Sequence, residues 1–336
     1  PSTFSGMYPG YTLLNGVFLG NDRTFPEMAR ELGYTTEGVI TLPKMHHSIT
    51  TGFQRIDNTL GFKDASTLTG ATLSKLASER LALLAESARP FLLWVHHFDP
   101  HGFYVYNMTM TPWLDDMEDH ILRGYAQEVW RTDAHINTLF KDLKRRGLYD
   151  KAIIVFFSDH GEGLGEDGVF DHAFEVAENI IRVPFAIKLP GVAPRKINTP
   201  VSLLDLVPTL VDYMEIEGSE PRPGRSLLAA AKGEPLEMVP IYVSATYQFR
   251  PLHWTLIEYP WKLIFDRQRL TFRLQNIEDD PNALGDVSAK HPEVFERMYK
   301  GLARWRDANF HDRFIQQKAH RLKARQGKLP EDFTGS

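Results

Sequence analysis

The chain contains no cysteine among its 336 residues. This absence excludes a disulfide, a thiolate nucleophile and a cysteine-ligated zinc or iron–sulfur site within these residues. Basic residues are not in excess either, because 38 Lys and Arg stand against 43 Asp and Glu, for a formal net charge of -5. A nucleic-acid-binding protein requires a basic surface, so we expect no nucleic-acid partner.

The sequence also lacks an apolar run of about 18 residues, the length that predicts a membrane-spanning helix, so we expect no membrane span. A secretory signal is not recognisable. The first residue is Pro1 rather than methionine, and we expect the chain to have been cut from something longer. At 336 residues the chain is long enough to bury a sizeable core.

Strand-like runs alternate with helical patterns through most of the sequence. Residues 91–96 and 151–158 are typical of buried strands, and a helix is predicted between them near 125–146. Residues 24–32 predict a further helix, with Thr24 as its N-cap. Such alternation indicates an α/β fold whose sheet is largely parallel and covered by helices on both faces.

The pattern changes after about residue 220, where prolines and glycine punctuate a loop. The shorter apolar runs at 241–249 and 261–276 indicate antiparallel strands, and 291–328 predicts a terminal helix. We therefore predict a larger domain over residues 1–225 and a smaller carboxyl-terminal subdomain over residues 226–336.

A carboxylate and an imidazole follow one of the predicted strands directly. Asp159 and His160 come after the apolar run IIVFF, and a glycine-rich acidic loop follows them. In an open α/β sheet, ligands bind beyond the carboxyl ends of the strands, so the pair is a candidate half of a metal site. The alternative is that Asp159 caps the next turn and that His160 is packed or solvated.

The other predicted strand ends in the same way. Three histidines and one aspartate lie within residues 96–101, more than packing usually explains. His101 lies in the loop and is the better candidate for a polar site, whereas packing explains His96 and His97 more simply. His172 lies at the far end of the glycine-rich loop and could return to the same cavity, although a solvated loop histidine is the simpler alternative.

Taken together, these motifs resemble the sulfatases and their relatives in the alkaline phosphatase superfamily. SDHGEGLGEDG and the segment after it are similar to the family's carboxyl-half signature, and FLLWVHHFDPH is similar to its strand followed by a DPH loop. Further matches follow in family order: PSTFSGMYPG, FPEMARELGYTT, SLLDLVPTLVDYMEI and LTFRLQNIEDDPNALGDV. The resemblance implies an alkaline-phosphatase-like three-layer α/β sandwich with a largely parallel central sheet, plus a small carboxyl-terminal α+β subdomain with an antiparallel sheet.

The resemblance also implies roles for particular residues. Asp159 and His160 match the second pair of ligands to the family's divalent cation; Ca²⁺ is the first expectation, with Mn²⁺, Mg²⁺ or Zn²⁺ as alternatives. His101 matches a histidine aimed at the bound sulfate or phosphate. His172 matches a lysine or histidine near the leaving-group oxygen. Asp167 stands where many relatives have histidine, so no role is assigned to it.

By the same resemblance, the nucleophile lies upstream of Pro1. In sulfatases this residue is a formylglycine, and the family's first pair of metal carboxylates would also precede Pro1. The alternative is that Ser2 or Thr3 attacks directly, as Ser or Thr does in phosphate-transferring relatives. We therefore expect these residues to lack the first strand and to be inactive alone.

The activity that the resemblance implies is metal-dependent hydrolysis of a small-molecule or carbohydrate sulfate ester. A phosphonate monoester or phosphodiester hydrolase of the same superfamily is one alternative, and a catalytically inactive binding module is another. The resemblance slightly favours an extracytoplasmic location, which could be periplasmic, secreted or lysosomal. A homo-oligomer is compatible with it.

Overall fold

The structure is a computed structural model, and it describes residues 2–8, 13–14, 17–18, 23–41, 47–58, 69–102, 104, 111–114, 116–166, 170, 172, 175–247, 250–280 and 285–311. Asp167 and the part of the predicted terminal helix beyond residue 311 lie outside these ranges. Within them, no helix is long and apolar enough to cross a membrane.

The described part of the chain alternates helices and strands. The α-helices are α1 (Ser2–Ser5), α2 (Phe25–Glu31), α3 (His47–Thr50), α4 (Thr69–Glu86), α5 (His120–Arg145), α6 (Glu178–Ile181), α7 (Leu206–Tyr213), α8 (Leu228–Lys232) and α9 (Pro292–Arg306). The strands are β1 (Leu13–Leu14), β2 (Val17–Phe18), β3 (Thr35–Ile40), β4 (Arg55–Asp57), β5 (Phe91–His96), β6 (Ile154–Phe157), β7 (Phe185–Lys188), β8 (Ile241–Tyr247), β9 (Arg250–Glu258), β10 (Trp261–Asp266) and β11 (Thr271–Asn276).

Helix α2 begins at the predicted cap. The hydroxyl of Thr24 accepts a hydrogen bond from the Glu27 amide, and the Glu27 carboxylate accepts one from the Thr24 amide at 2.8 Å. This reciprocal pair satisfies two amides that the helix itself cannot. The helix ends before Gly33, whose φ of 87° suits glycine. The helix predicted over 24–32 is therefore confirmed.

The first sheet is parallel and carries helices on both faces. Strand β3 lies between β4 and β5 and pairs with both in parallel. Successive residues of a strand face opposite sides: Leu92 packs against the core formed by α2 and α7, whereas Leu93 packs against Leu73 and Ala77 of α4. Helix α5 packs on α4. These contacts produce the predicted three layers.

Strands β6 and β7 pair antiparallel, which differs from the parallel pairing of β3, β4 and β5. Their side chains share the Leu92 core on the α2 and α7 side. Residues 158–184 could accommodate a crossover to a parallel strand. Instead β7 returns beside β6 in the opposite direction, and the Ser158 amide donates to the Pro184 carbonyl just beyond the ladder.

The carboxyl-terminal part forms the predicted antiparallel sheet, in the order β11-β10-β9-β8. Helix α9 covers one face, and the buried residues of this core are Trp254, Leu256, Leu263, Leu274, Met298, Leu302 and Trp305. Tyr8 packs edge-on against Trp305, with ring centroids 5.2 Å apart. Helix α8, just after the predicted boundary at 225, contacts α7, and the sheet begins at Ile241.

Candidate active site

The loops that follow β5 and β6 meet at the ring of His172. This ring stacks on His160, with centroids 3.9 Å apart and planes 18° apart. The edge-on contact with His101 has a centroid separation of 4.9 Å. His160 in turn lies beside Asp159, with 3.8 Å between Nε2 and Oδ2. The structure therefore brings together the four site residues that the sequence singled out.

A close backbone contact holds the start of the glycine-rich loop. The Gly161 amide donates to the Ile180 carbonyl at 2.7 Å, and the Glu162 amide donates to the Asn179 carbonyl at 3.2 Å. A Cβ on Gly161 would lie 2.0 Å from the Asn179 oxygen. Only glycine allows this approach, so the short helix α6 sets where the loop begins.

The Asp159–His160 pair suits part of a cation site. The Nδ1 of His160 lies 2.8 Å from the Gly161 carbonyl. A carbonyl only accepts, so Nδ1 donates to it, and in the neutral ring Nε2 then has the lone pair that a cation requires. Nε2 lies on the side of the Asp159 carboxylate, and the Asp159 side chain is 63% exposed. Nε2 of His160 and a carboxylate oxygen of Asp159 could therefore bind the same ion. Among the residues described, no group of three or more such side chains surrounds a common point, so the pair requires further ligands.

His101 is held by its own loop. Its ring stacks on Phe98 with centroids 4.2 Å apart, and its amide donates to the Phe98 carbonyl at 3.0 Å. The tight turn that includes Pro100 therefore fixes the direction of the ring toward His172.

Glu162 is a buried member of this cluster that the sequence did not single out. Its side chain is 6% exposed, and Oε1 lies 3.1 Å from Nδ1 of His172. Tyr125 of α5 lies near it: burial and the charge of Glu162 both raise the pKa of Tyr125. No periodic pattern marks a buried residue within a loop. The only available sequence signal was a carboxylate directly after the DHG motif.

The two adjacent histidines at the end of β5 differ in their surroundings. Burial lowers the pKa of His96, while the negative charge of Asp159 opposes this shift, so His96 borders the candidate site. Burial lowers the pKa of His97 to about 4, and Asp99 opposes that shift. Neither ring nitrogen of His97 has a hydrogen-bond partner among the described residues. Packing accounts for His97, whereas the position of His96 was not expected.

Solved structures of other proteins share this fold. The phosphonate monoester hydrolase of Silicibacter pomeroyi aligns with a TM-score of 0.72 at 17% identity, over 92% of this chain and 85% of its own. Ps i-CgsB, solved in complex with k-i-k-neocarrahexaose, aligns with a TM-score of 0.70 at 20% identity, over 92% of this chain and 81% of its own. The architecture is therefore alkaline-phosphatase-like.

Sequence comparison identifies the family within this fold. The model of the Sulfatase family matches residues 1–216, and the chain belongs to that family. Among its relatives is the choline-sulfatase of Rhizobium meliloti, 31% identical over 54% of this chain and 38% of the relative. The ulvan-active sulfatase of Formosa agariphila is 33% identical over 42% of this chain and 32% of the relative. The alignments thus span about a third of each relative's length.

Proposed function

We propose that this protein hydrolyses sulfate esters with the help of a divalent cation. The observation that carries the proposal is the position of His172, whose ring lies against His160 on one side and His101 on another. Two loops from separate strands thereby supply several imidazoles and a carboxylate to one small volume. This combination suits an anionic ester whose charge is redistributed as a bond breaks.

In this proposal the four residues have separate tasks. Asp159 and His160 hold the cation, with Ca²⁺ as first choice and Mn²⁺, Mg²⁺ or Zn²⁺ as alternatives. When bound, the cation supplies positive charge for the nonbridging oxygens of the ester. His101 donates a hydrogen bond to the sulfuryl group, and His172 delivers a proton to the leaving oxygen as the sulfur–oxygen bond breaks.

The attacking group in this proposal is a formylglycine, the nucleophile of sulfatases. No residue that the structure describes is assigned this role. The activity is therefore proposed for the protein made from its full-length gene.

The substrate is proposed to be a small-molecule or carbohydrate sulfate. The choline-sulfatase and the ulvan-active sulfatase support this range by their names. A structural neighbour solved with its substrate D-glucosamine-2-N,6-O-disulfate aligns with a TM-score of 0.69. We further propose an extracytoplasmic location. A homo-oligomer is compatible with the proposal and does not affect the assignment of the site.

The test compares three substrates with the full-length gene product: an aryl sulfate, a phosphate diester and a phosphonate monoester. We expect the sulfate to be turned over fastest and a chelator to abolish this turnover. His172→Gln should lower kcat, whereas His120→Gln, which changes an exposed histidine at the start of α5, should not. Faster turnover of the phosphonate or the diester would replace the proposal with a phosphoryl-type hydrolase. Metal binding without turnover of any ester would replace it with an inactive binding module.

A further inference from the structure

We propose that Glu162 is a positioning residue that selects which ring nitrogen of His172 faces the ester. The proposal rests on the proposed function in one respect, namely that His172 acts on the leaving oxygen. It goes further by assigning a task to a buried carboxylate outside the set of four site residues.

The first step of the argument is the hydrogen bond itself. Oε1 of Glu162 lies 3.1 Å from Nδ1 of His172, and the two side chains are only 6% and 18% exposed. An ionised carboxylate has no proton to donate, so Nδ1 of His172 carries the hydrogen. Nε2, on the far side of the ring, is directed away from Glu162, and a proton taken up there forms the imidazolium whose Nε2 hydrogen passes to the leaving oxygen.

The second step concerns what the ring contacts leave undecided. Stacking on His160 and the edge-on contact with His101 define the plane of the His172 ring. A rotation of 180° about the Cβ–Cγ bond keeps that plane but exchanges the positions of nitrogen and carbon atoms. Packing alone therefore distinguishes the two orientations weakly. The hydrogen bond to Glu162 favours one of them, because it is made by Nδ1 itself and not by a ring carbon.

The third step is the rigidity of the carboxylate. The Glu162 amide donates to the Asn179 carbonyl, and the preceding residue, Gly161, is held against the same short helix. A group can orient another only when its own position is well defined. The backbone of Glu162 meets this requirement.

The same loop offers a matched control. Glu166 is exposed, and its Oε2 accepts hydrogen bonds from the Leu164 amide and from Nδ2 of Asn179, both at 2.9 Å. Its carboxylate therefore supports the loop without serving His172. Glu162→Gln and Glu166→Gln remove the same charge from positions four residues apart.

The test measures the tautomer of His172 directly. The full-length gene product is labelled with ¹⁵N-histidine, and the His172 signals are assigned by their loss in His172→Asn. At one alkaline pH we expect the proton on Nδ1 in the unchanged protein and in Glu166→Gln. In Glu162→Gln the amide can donate as well as accept, so the proton should redistribute toward Nε2. We also expect kcat to fall about 10- to 100-fold with little change in KM, as for other groups that orient a histidine.

The outcomes separate the two proposals. An unchanged His172 tautomer in Glu162→Gln would overturn the positioning role whatever the activity. A changed tautomer supports it. A changed tautomer with unchanged kcat would uphold the positioning role and show that His172 does not act on the ester. Where Glu162→Gln does not fold, Glu162→Asp, whose carboxylate is one methylene shorter, is measured in the same way.

Discussion

The ammonium of Lys262 in β10 lies 2.7 Å from the carboxylate of Glu178 in α6. Lys262 is 1% exposed and also donates to the Val176 carbonyl. Burial lowers the pKa of Lys262, and the charge of Glu178 opposes that shift. The next two residues, Asn179 and Ile180, accept the hydrogen bonds that hold the site loop. The pair thus connects the carboxyl-terminal sheet to the candidate active site.

Replacing Lys262 should destabilise the fold strongly. Lys262→Met leaves Glu178 without its cation, and breaking one side of a buried ion pair costs about 3–5 kcal/mol in the free energy of unfolding. Urea denaturation measures this change. Lys300→Met is the control, because Lys300 is 64% exposed in its pair with Glu296, and exposed pairs contribute about 0–1 kcal/mol. Equal losses in the two variants would contradict the prediction.

Gly161→Ala should displace the loop from α6. The added Cβ would lie 2.0 Å from the Asn179 oxygen, and relieving such overpacking typically costs about 1–3 kcal/mol. We expect lower thermal stability together with loss of the proposed activity. Gly102→Ala is the matched control, because no atom of the described residues lies within 4 Å of a Cβ there. A Gly161→Ala protein as active as Gly102→Ala would argue against the close contact.

His97 should make stability depend on pH. Its pKa falls from 6.5 to about 4 on folding because it is buried, so the unfolded chain binds a proton more readily. Above pH 6.5, His97 is neutral in both the folded and the unfolded chain, and its protonation does not reduce stability. As the pH falls from 6.5 toward 4, the free energy of unfolding decreases by on the order of 3 kcal/mol, because the unfolded chain takes up the proton first. In His97→Phe, the free energy of unfolding measured by urea denaturation should fall by correspondingly less across this pH range. His120→Phe should behave like the unchanged protein. Parallel curves for all three would refute the shift.

Asp159→Asn should weaken binding of the divalent cation. The substitution keeps the size of the side chain but removes the charge that favours a hard ion. Isothermal titration of the full-length gene product with Ca²⁺ and Mn²⁺ should show at least about a tenfold loss of affinity, since even changes behind a ligand cost 10–100-fold. Asp150→Asn, at an exposed position, should bind as before. Unchanged affinity in Asp159→Asn would exclude this residue as a ligand.

Local chemistry accounts for the parts of the fold that were predicted correctly. Thr24 and Glu27 are three residues apart, so the capping pair that begins α2 is decided within one turn. The strand after residue 151 is visible as an apolar run, and it is observed as Ile154–Phe157. The positions of Asp159 and His160 after that strand follow from chain order alone.

Other parts depended on how distant segments meet. The antiparallel pairing of β6 with β7 was not predicted, because the same loop length permits a crossover or a return. The different surroundings of His96 and His97 depend on which side of β5 faces the site loop. Neither choice is encoded in a short window of sequence.

The sequence by itself determined the Sulfatase family resemblance, the three layers and the presence of imidazoles and a carboxylate at two strand ends, because these follow from periodicity and from motifs of adjacent residues. Only the tertiary structure decided that His172 lies between His160 and His101 and that Glu162 is buried against it. The reason is physical: the start of the glycine-rich loop is held by backbone carbonyls of α6, and those groups lie beyond the loop in sequence.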